Sequence, residues 1–147
     1  MINVEPVRPI AWDDSYSIGV KSIDLQHKQL VVLMNDLASF VSEGYSSREK
    51  LNFIIAELVD FTVYHLDFEA DCMFRFEYDQ VLLHLEQHEL FKEKLNFFRA
   101  RVAEKMNLAE VPPLVENMWY FLFVWLHEHI TGSDRGFVDL FHSKGMV

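Results

Sequence analysis

The most constraining feature of this chain is a pattern of apolar residues that steps by alternating fours and threes through four separate segments. Such steps keep one stripe of a helix facing a neighbour. The first seam runs Ile23, His27, Leu30, Met34, Leu37, Val41, in a segment opening near Ser22 and closing at Gly44. The second runs Leu51, Ile54, Leu58, Phe61, His65, Phe68, Cys72, behind Ser46-Ser47-Arg48-Glu49, a capping-box sequence. The third follows Tyr78-Asp79 with Val81, His84, His88, Phe91, Leu95, Phe98 and Val102. The fourth follows Pro112-Pro113, a helix-opening signal, with Val115, Met118, Leu122, Trp125 and His129. Short connections between long amphipathic helices lead to an all-α, antiparallel up-down-up-down four-helix bundle. An extended arm is expected before it, and a short C-terminal helix after it in "SDRGFVDLFHSKGMV".

A chain of 147 residues, half of them hydrophobic, is long enough for one good core and short for two, so a single domain over 1–147 is expected. One cysteine, Cys72, allows neither an internal disulfide nor a thiolate zinc site and fits a reducing compartment. Cys72 itself reads as a small buried hydrophobe. The segment "MINVEPVRPIAW" does not look like a secretory signal, and no uncharged apolar run reaches membrane-spanning length, so a cytoplasmic chain is expected. A formal net charge of -10 opposes binding to phosphate backbones and anionic lipid, which argues against nucleic acid and membrane as partners.

Each seam carries histidine. Of seven in the chain, five (His27, His65, His84, His88, His129) fall on core positions, and His127 and His142 do not. One histidine on an apolar face is usually a satisfied core residue. Five converging ones need five sets of partners inside a small core, and a metal satisfies them together. Register is an independent test. His27 to Gly44 is 17 residues and Ser47 to His65 is 18; His88 to about Met106 is 18 and Pro113 to His129 is 16. At about 1.5 Å per residue, each facing pair lies within a turn, placing all five imidazoles in one half of the bundle.

Two carboxylates join them. Glu69 follows His65 by four residues, so both point to one helix face; His84 and His88 repeat the step. His129 and Asp134 are five apart, which requires a distortion, and "HITGSD" offers Gly132 and a π-type turn. Asp134 could instead cap the closing helix. His127, seven residues before Asp134, is set aside for its position off the seam. Five imidazoles and two carboxylates exceed one ion, and the set without thiolate suits iron or manganese better than structural zinc. Two near-octahedral ions offer about twelve positions, of which these side chains and one bridging oxygen fill about eleven. The ion with two histidines then keeps the open position.

The runs "WDDSYSIGVKSIDLQHKQLVVLMNDL", "YHLDFEADCM", "EYDQVLLHLEQHELF" and "WLHEHITGSDRGF" resemble the hemerythrin family, particularly bacterial hemerythrins, from Trp12 to Phe137. The order QHK, HxxxE, HxxxH, HxxxxD is highly specific. The resemblance implies reversible dioxygen binding at a non-heme site of two iron ions per chain, joined by an oxide or hydroxide bridge. It implies that His84, His88 and His129 hold one iron, His27 and His65 hold the other, and Glu69 and Asp134 bridge them. It further implies an apolar dioxygen pocket of Leu30, Leu66, Trp125, Leu126 and Ile130, each of which also reads as plain core packing. The chain departs from the usual family pattern at Leu66 (often Phe), Ala70 (often Glu) and Phe137 (often Tyr), none of them a ligand. A carrier or store of dioxygen, rather than an enzyme, is the expectation; a sensor domain or a di-iron oxidase or peroxidase are the alternatives.

Overall fold

The computed structural model describes residues 6–104 and 107–147. The first five residues of the arm, and Met106, which the register count takes as the third turn, lie outside them. Among the described residues, four long helices dominate: α1 (Lys21–Ser42), α2 (Arg48–Arg75), α3 (Val81–Ala103) and α4 (Val111–Trp125), with a short α5 (Val138–Ser143) at the end. They pack antiparallel, α1 on α2 and α4, α3 on α2 and α4. No helix among them is long and apolar enough to cross a membrane.

Local chemistry sets the helix ends. Gly44 takes φ 78°, and Gly44 N–H donates to Val41 O while Tyr45 N–H donates to Phe40 O, closing α1 with a Schellman turn. The same turn ends α2, with Glu77 at φ 57° in the left-handed position. Ser47, not Ser46, caps α2, its side chain accepting from Lys50 N–H. The capping box expected from Ser46 and Glu49 is therefore replaced by a one-sided cap, because Lys50 now occupies the third position. α4 opens one residue before its prolines, which sit in the first turn where no intrahelical N–H is required.

The buried stripe of α2 differs from the seam read off the sequence. Phe61 and Phe68 are half-buried, and Thr62 and Glu69 take the inward places. A straight helix drifts by about 20° per heptad from a strict seven-residue repeat, so a 3.6-residue period replaces the expected 3.5. Val41 and Val81, at helix ends, are likewise half-buried.

The arm is fastened by polar side chains. Asn35 on α1 accepts from Ile10 N–H and donates to Ile10 O, and Asp24 accepts from Ser17 Oγ and Ile18 N–H. Two apolar clusters form the core. The larger includes Leu30, Leu66, Phe91, Leu126 and Ile130; the smaller comprises Ile18, Val20, Ile23, Cys72, Met73, Phe137 and Phe141. In each of the chain segments the seam histidines and carboxylates fall between residues of one cluster and residues of the other: His27 between Ile23 and Leu30, Glu69 between Leu66 and Cys72. A polar layer thus lies between two dry ones.

Candidate metal centre

The fourth helix turns irregular where the site needs it. After Trp125 the backbone continues as a π-helix, Leu126–Ile130, then as a 3-10 segment, Ser133–Phe137. The wider winding begins three residues before "HITGSD", overlaps it at His129 and Ile130, and brings His129 and Asp134 to one face despite their five-residue separation. Gly132 serves for space rather than for a left-handed dihedral: its φ is -108°, and a Cβ there would stand 2.4 Å from Glu128 O. Asp134 lies inside the 3-10 segment and is fully buried, so it caps no helix.

His27, His65, Glu69, His84, His88, His129 and Asp134 are all buried and converge. Their ligand-type atoms form two overlapping groups, each within 4.8 Å: Glu69, His84, His88, His129 and Asp134 in one, His27, His65, Glu69 and Asp134 in the other. The carboxylates belong to both and divide their oxygens between them. Glu69 Oε1 faces His65 Nε2 at 3.0 Å and His27 Nε2 at 3.6 Å, while Oε2 faces His88 Nε2 at 3.3 Å and His84 Nε2 at 3.7 Å. Asp134 Oδ1 faces His84 Nε2 at 3.0 Å and His129 Nε2 at 3.1 Å, while Oδ2 faces His27 Nε2 at 3.4 Å.

Charge shows how unusual this layer is without an ion. Burial pulls the His27 and His84 imidazoles down, but the close approach and the charges of Asp134 and Glu69 more than offset it and raise both to about 9. Burial holds the His88 imidazole below its usual value. Burial and the Glu69 charge act to raise Asp134, yet contacts with His129, His27 and His84 bring it down to about 2. Burial also opposes Glu69 ionisation, but the imidazoles of His65, His27 and His84 around it hold it well below the ordinary carboxylate range.

The donor set fits a pair of cations. Both oxygens of Glu69 and of Asp134, and Nε2 of His84, His88 and His129, are buried without a hydrogen-bond partner. The Nε2 atoms of His27 and His65 approach to 3.2 Å, both aimed at one point. Buried polar groups left unpaired in this number are costly, and shared coordination satisfies them at once. Seven side chains that offer only imidazole nitrogen and carboxylate oxygen suit divalent first-row metals.

The surroundings separate the remaining residues. Leu30, Leu66, Leu126 and Ile130 are buried in the large cluster bordering the site. Trp125 is different: half-buried, it lies flat against His129, with ring centroids 3.9 Å apart at 14°, and against Phe91 at 3.9 Å. It therefore borders the three-histidine group. A surface groove of about 470 Å³ between α3 and α4, lined in part by Leu90, Phe91 and Trp125, reaches His129 from outside. His127 is exposed and donates from Nδ1 to Phe123 O; His142 donates to Gly19 O. Phe137 packs in the small cluster, 5.6 Å from the His84 ring. Cys72 is buried there too, and burial pushes its thiol up.

The sequence reading missed Gln26. His65 Nδ1–H donates to Gln26 Oε1 at 2.7 Å, which fixes the tautomer and leaves the Nε2 lone pair directed at the site. Its signal was its place before His27 in QHK; one residue along a helix turns a side chain by about 100°, so Gln26 leaves the His27 face and reaches His65 on α2.

A family model described as the hemerythrin HHE cation binding domain matches residues 18–141. The bacteriohemerythrin of Stenotrophomonas maltophilia is 28% identical over 130 residues, covering 88% of this chain and 80% of its own. That of Clostridium acetobutylicum is 25% identical over 130 residues, covering 87% and 98% respectively. A hemerythrin-like protein of Naegleria gruberi is 29% identical over 126 residues, covering 86% and 88%. With a buried histidine and carboxylate cluster suited to two metal ions inside an antiparallel four-helix bundle, the chain belongs to the hemerythrin family.

Proposed function

We propose that this chain binds dioxygen reversibly at a non-heme di-iron centre, as a carrier, store or delivery protein rather than an enzyme. In this reading His84, His88 and His129 hold one iron, His27 and His65 hold the other, and Glu69 and Asp134 bridge them. The observation that carries it is the division of the two carboxylates, each with one oxygen toward each histidine group. Two ferrous ions supply, when bound, the two electrons and the open coordination position that dioxygen takes up and returns. With three imidazoles for one ion and two for the other, dioxygen would enter beside His27 and His65.

The protein's part is to orient and to keep water out. Gln26 holds His65 in one tautomer through Nδ1. The buried side chains of Leu30, Leu66, Leu126 and Ile130 wall the site with hydrocarbon, which keeps the local dielectric low and strengthens any hydrogen bond formed inside. Such walls supply no proton, so the bound gas is released rather than reduced further. Trp125, half-buried and stacked on His129, completes that wall on the three-histidine side. We read residues 1–147 as one hemerythrin domain, and the buried lone cysteine fits a cytoplasmic setting. Titration of the reduced, iron-loaded protein with dioxygen tests the reading. A visible absorption band should appear with the gas and vanish on degassing. Prompt conversion to the oxidised protein, with no recovery on degassing, favours a di-iron oxidase or redox sensor instead.

A further inference from the structure

A column of nearly parallel rings runs from the surface to the three-histidine group. Trp125 lies flat on His129, with centroids 3.9 Å apart at 14°, and its centroid is 6.4 Å from that of His88. Phe91 lies flat on Trp125 at 3.9 Å and 22°, and Phe121 on Phe91 at 5.1 Å and 22°. Trp125 is half-buried and lines the groove of about 470 Å³ together with Phe91, Phe121, Glu128 and His129. We propose that this groove is an electron port, where a flat aromatic one-electron donor seats and reduces the ferric centre through Trp125 and His129. The proposal rests on the di-iron reading and adds to it the route by which an oxidised centre is restored.

Indole is among the most easily oxidised side chains, and rings in van der Waals contact overlap enough to pass an electron. Of the three tryptophans, only Trp125 stacks on a site imidazole among the described residues. Trp119 is fully buried and stacks on Phe123, and Trp12 lies beside Tyr16.

The groove's chemistry selects the donor. Its volume is that of a small-molecule cleft, and its rings offer stacking to a planar molecule. Glu128, exposed and lining the groove on a chain of net charge -10, repels anions, so the donor is neutral or cationic. Each donor gives up one electron, and two in succession take both irons from ferric to ferrous. The oxygen that joins the irons takes one proton from water, and no other bond is made or broken.

Two measurements test this. In the first, the ferric, iron-loaded protein is mixed without oxygen in a stopped-flow instrument with methyl viologen radical cation. Glu128→Lys should slow this reduction by about threefold or more and speed reduction by the sulfur dioxide radical anion of dithionite. Glu57→Lys makes the same charge change on the exposed face of α2 and should alter either rate by less than about twofold. The second measurement needs no metal. In metal-free protein carrying Trp12→Phe, oxidised methyl viologen should quench tryptophan emission by taking an electron from the excited indole. Glu128→Lys should lower that quenching by about threefold, and Trp125→Leu should abolish it. A chain that takes up no iron refutes the di-iron reading itself. With two irons bound, a reduction rate indifferent to Glu128→Lys overturns the port alone, as does quenching of the metal-free protein that survives Trp125→Leu.

Discussion

Replacing Gln26 by leucine tests how the site orients its ligands. The substitution keeps the side-chain bulk and removes the acceptor that His65 Nδ1–H meets at 2.7 Å. An imidazole N–H buried without a partner costs about 1–3 kcal/mol. The His65 ring is buried, but Gln26 is half-buried, so a water can reach the vacated position and take the cost to the lower end, about 1 kcal/mol. At about 1.4 kcal/mol per tenfold, this weakens metal binding by about fivefold, just below the usual range for partners of a ligating histidine. The loss should fall on the ion held by His27 and His65 and leave the other unchanged. Competition of the protein with a chromophoric chelator for ferrous iron, analysed as two steps, separates the two affinities. Gln26→Glu, a stronger acceptor, should tighten the same step. Equal weakening of both steps, or no change in either, refutes the orienting role.

Other outcomes follow from the same geometry. His27 and His84 have pKa values of about 9 without metal, so both are protonated at neutral pH and metal uptake must displace their protons. Apparent metal affinity should rise with pH up to about 9, with proton release measurable by calorimetry in buffers of different ionisation enthalpy. In the metal-free chain these raised imidazoles contribute stability below about 6.5 that is lost as pH rises through about 9, while depressed Asp134 contributes above about 4 and loses it as pH falls toward about 2. Thermal melts of metal-free protein should therefore fall off on the alkaline side and again in strong acid. His129→Ala should lose metal, whereas exposed His127→Ala should keep two irons per chain by elemental analysis. Gly132→Ala drives a methyl group against Glu128 O and should destabilise the fold by about 2 kcal/mol while misplacing Asp134, read by chemical denaturation and iron content.

The sequence displayed the bundle because amphipathic period and short turns follow directly from residue order. It displayed the convergence of His27, His65, Glu69, His84, His88, His129 and Asp134 because equal distances from each turn place facing residues at one level. What it concealed depends on atoms that only tertiary packing brings together. Glu77 ends α2 in a left-handed conformation that glycine would have announced. Thr62 takes the inward place expected of Phe61, and Phe68 is only half-buried beside the inward Glu69, because the accumulated drift of a 28-residue helix exceeds what a heptad reading allows. Gln26 acts across helices, from α1 on His65 of α2, through a contact that no local spacing encodes, whereas Trp125 stacks on His129 one turn along the same helix. Gly132 suggested a left-handed turn, whereas its lack of a side chain permits a close approach to Glu128 O.

The claim on which the rest depends is that Glu69 and Asp134 join two ions, one on each histidine group. Anomalous diffraction at the iron edge, from crystals of the iron-loaded protein, addresses it most directly. Two peaks are expected, one among His84, His88 and His129 and the other beside His27 and His65, each in reach of both carboxylates. A single peak, or a second one away from His27 and His65, would contradict it.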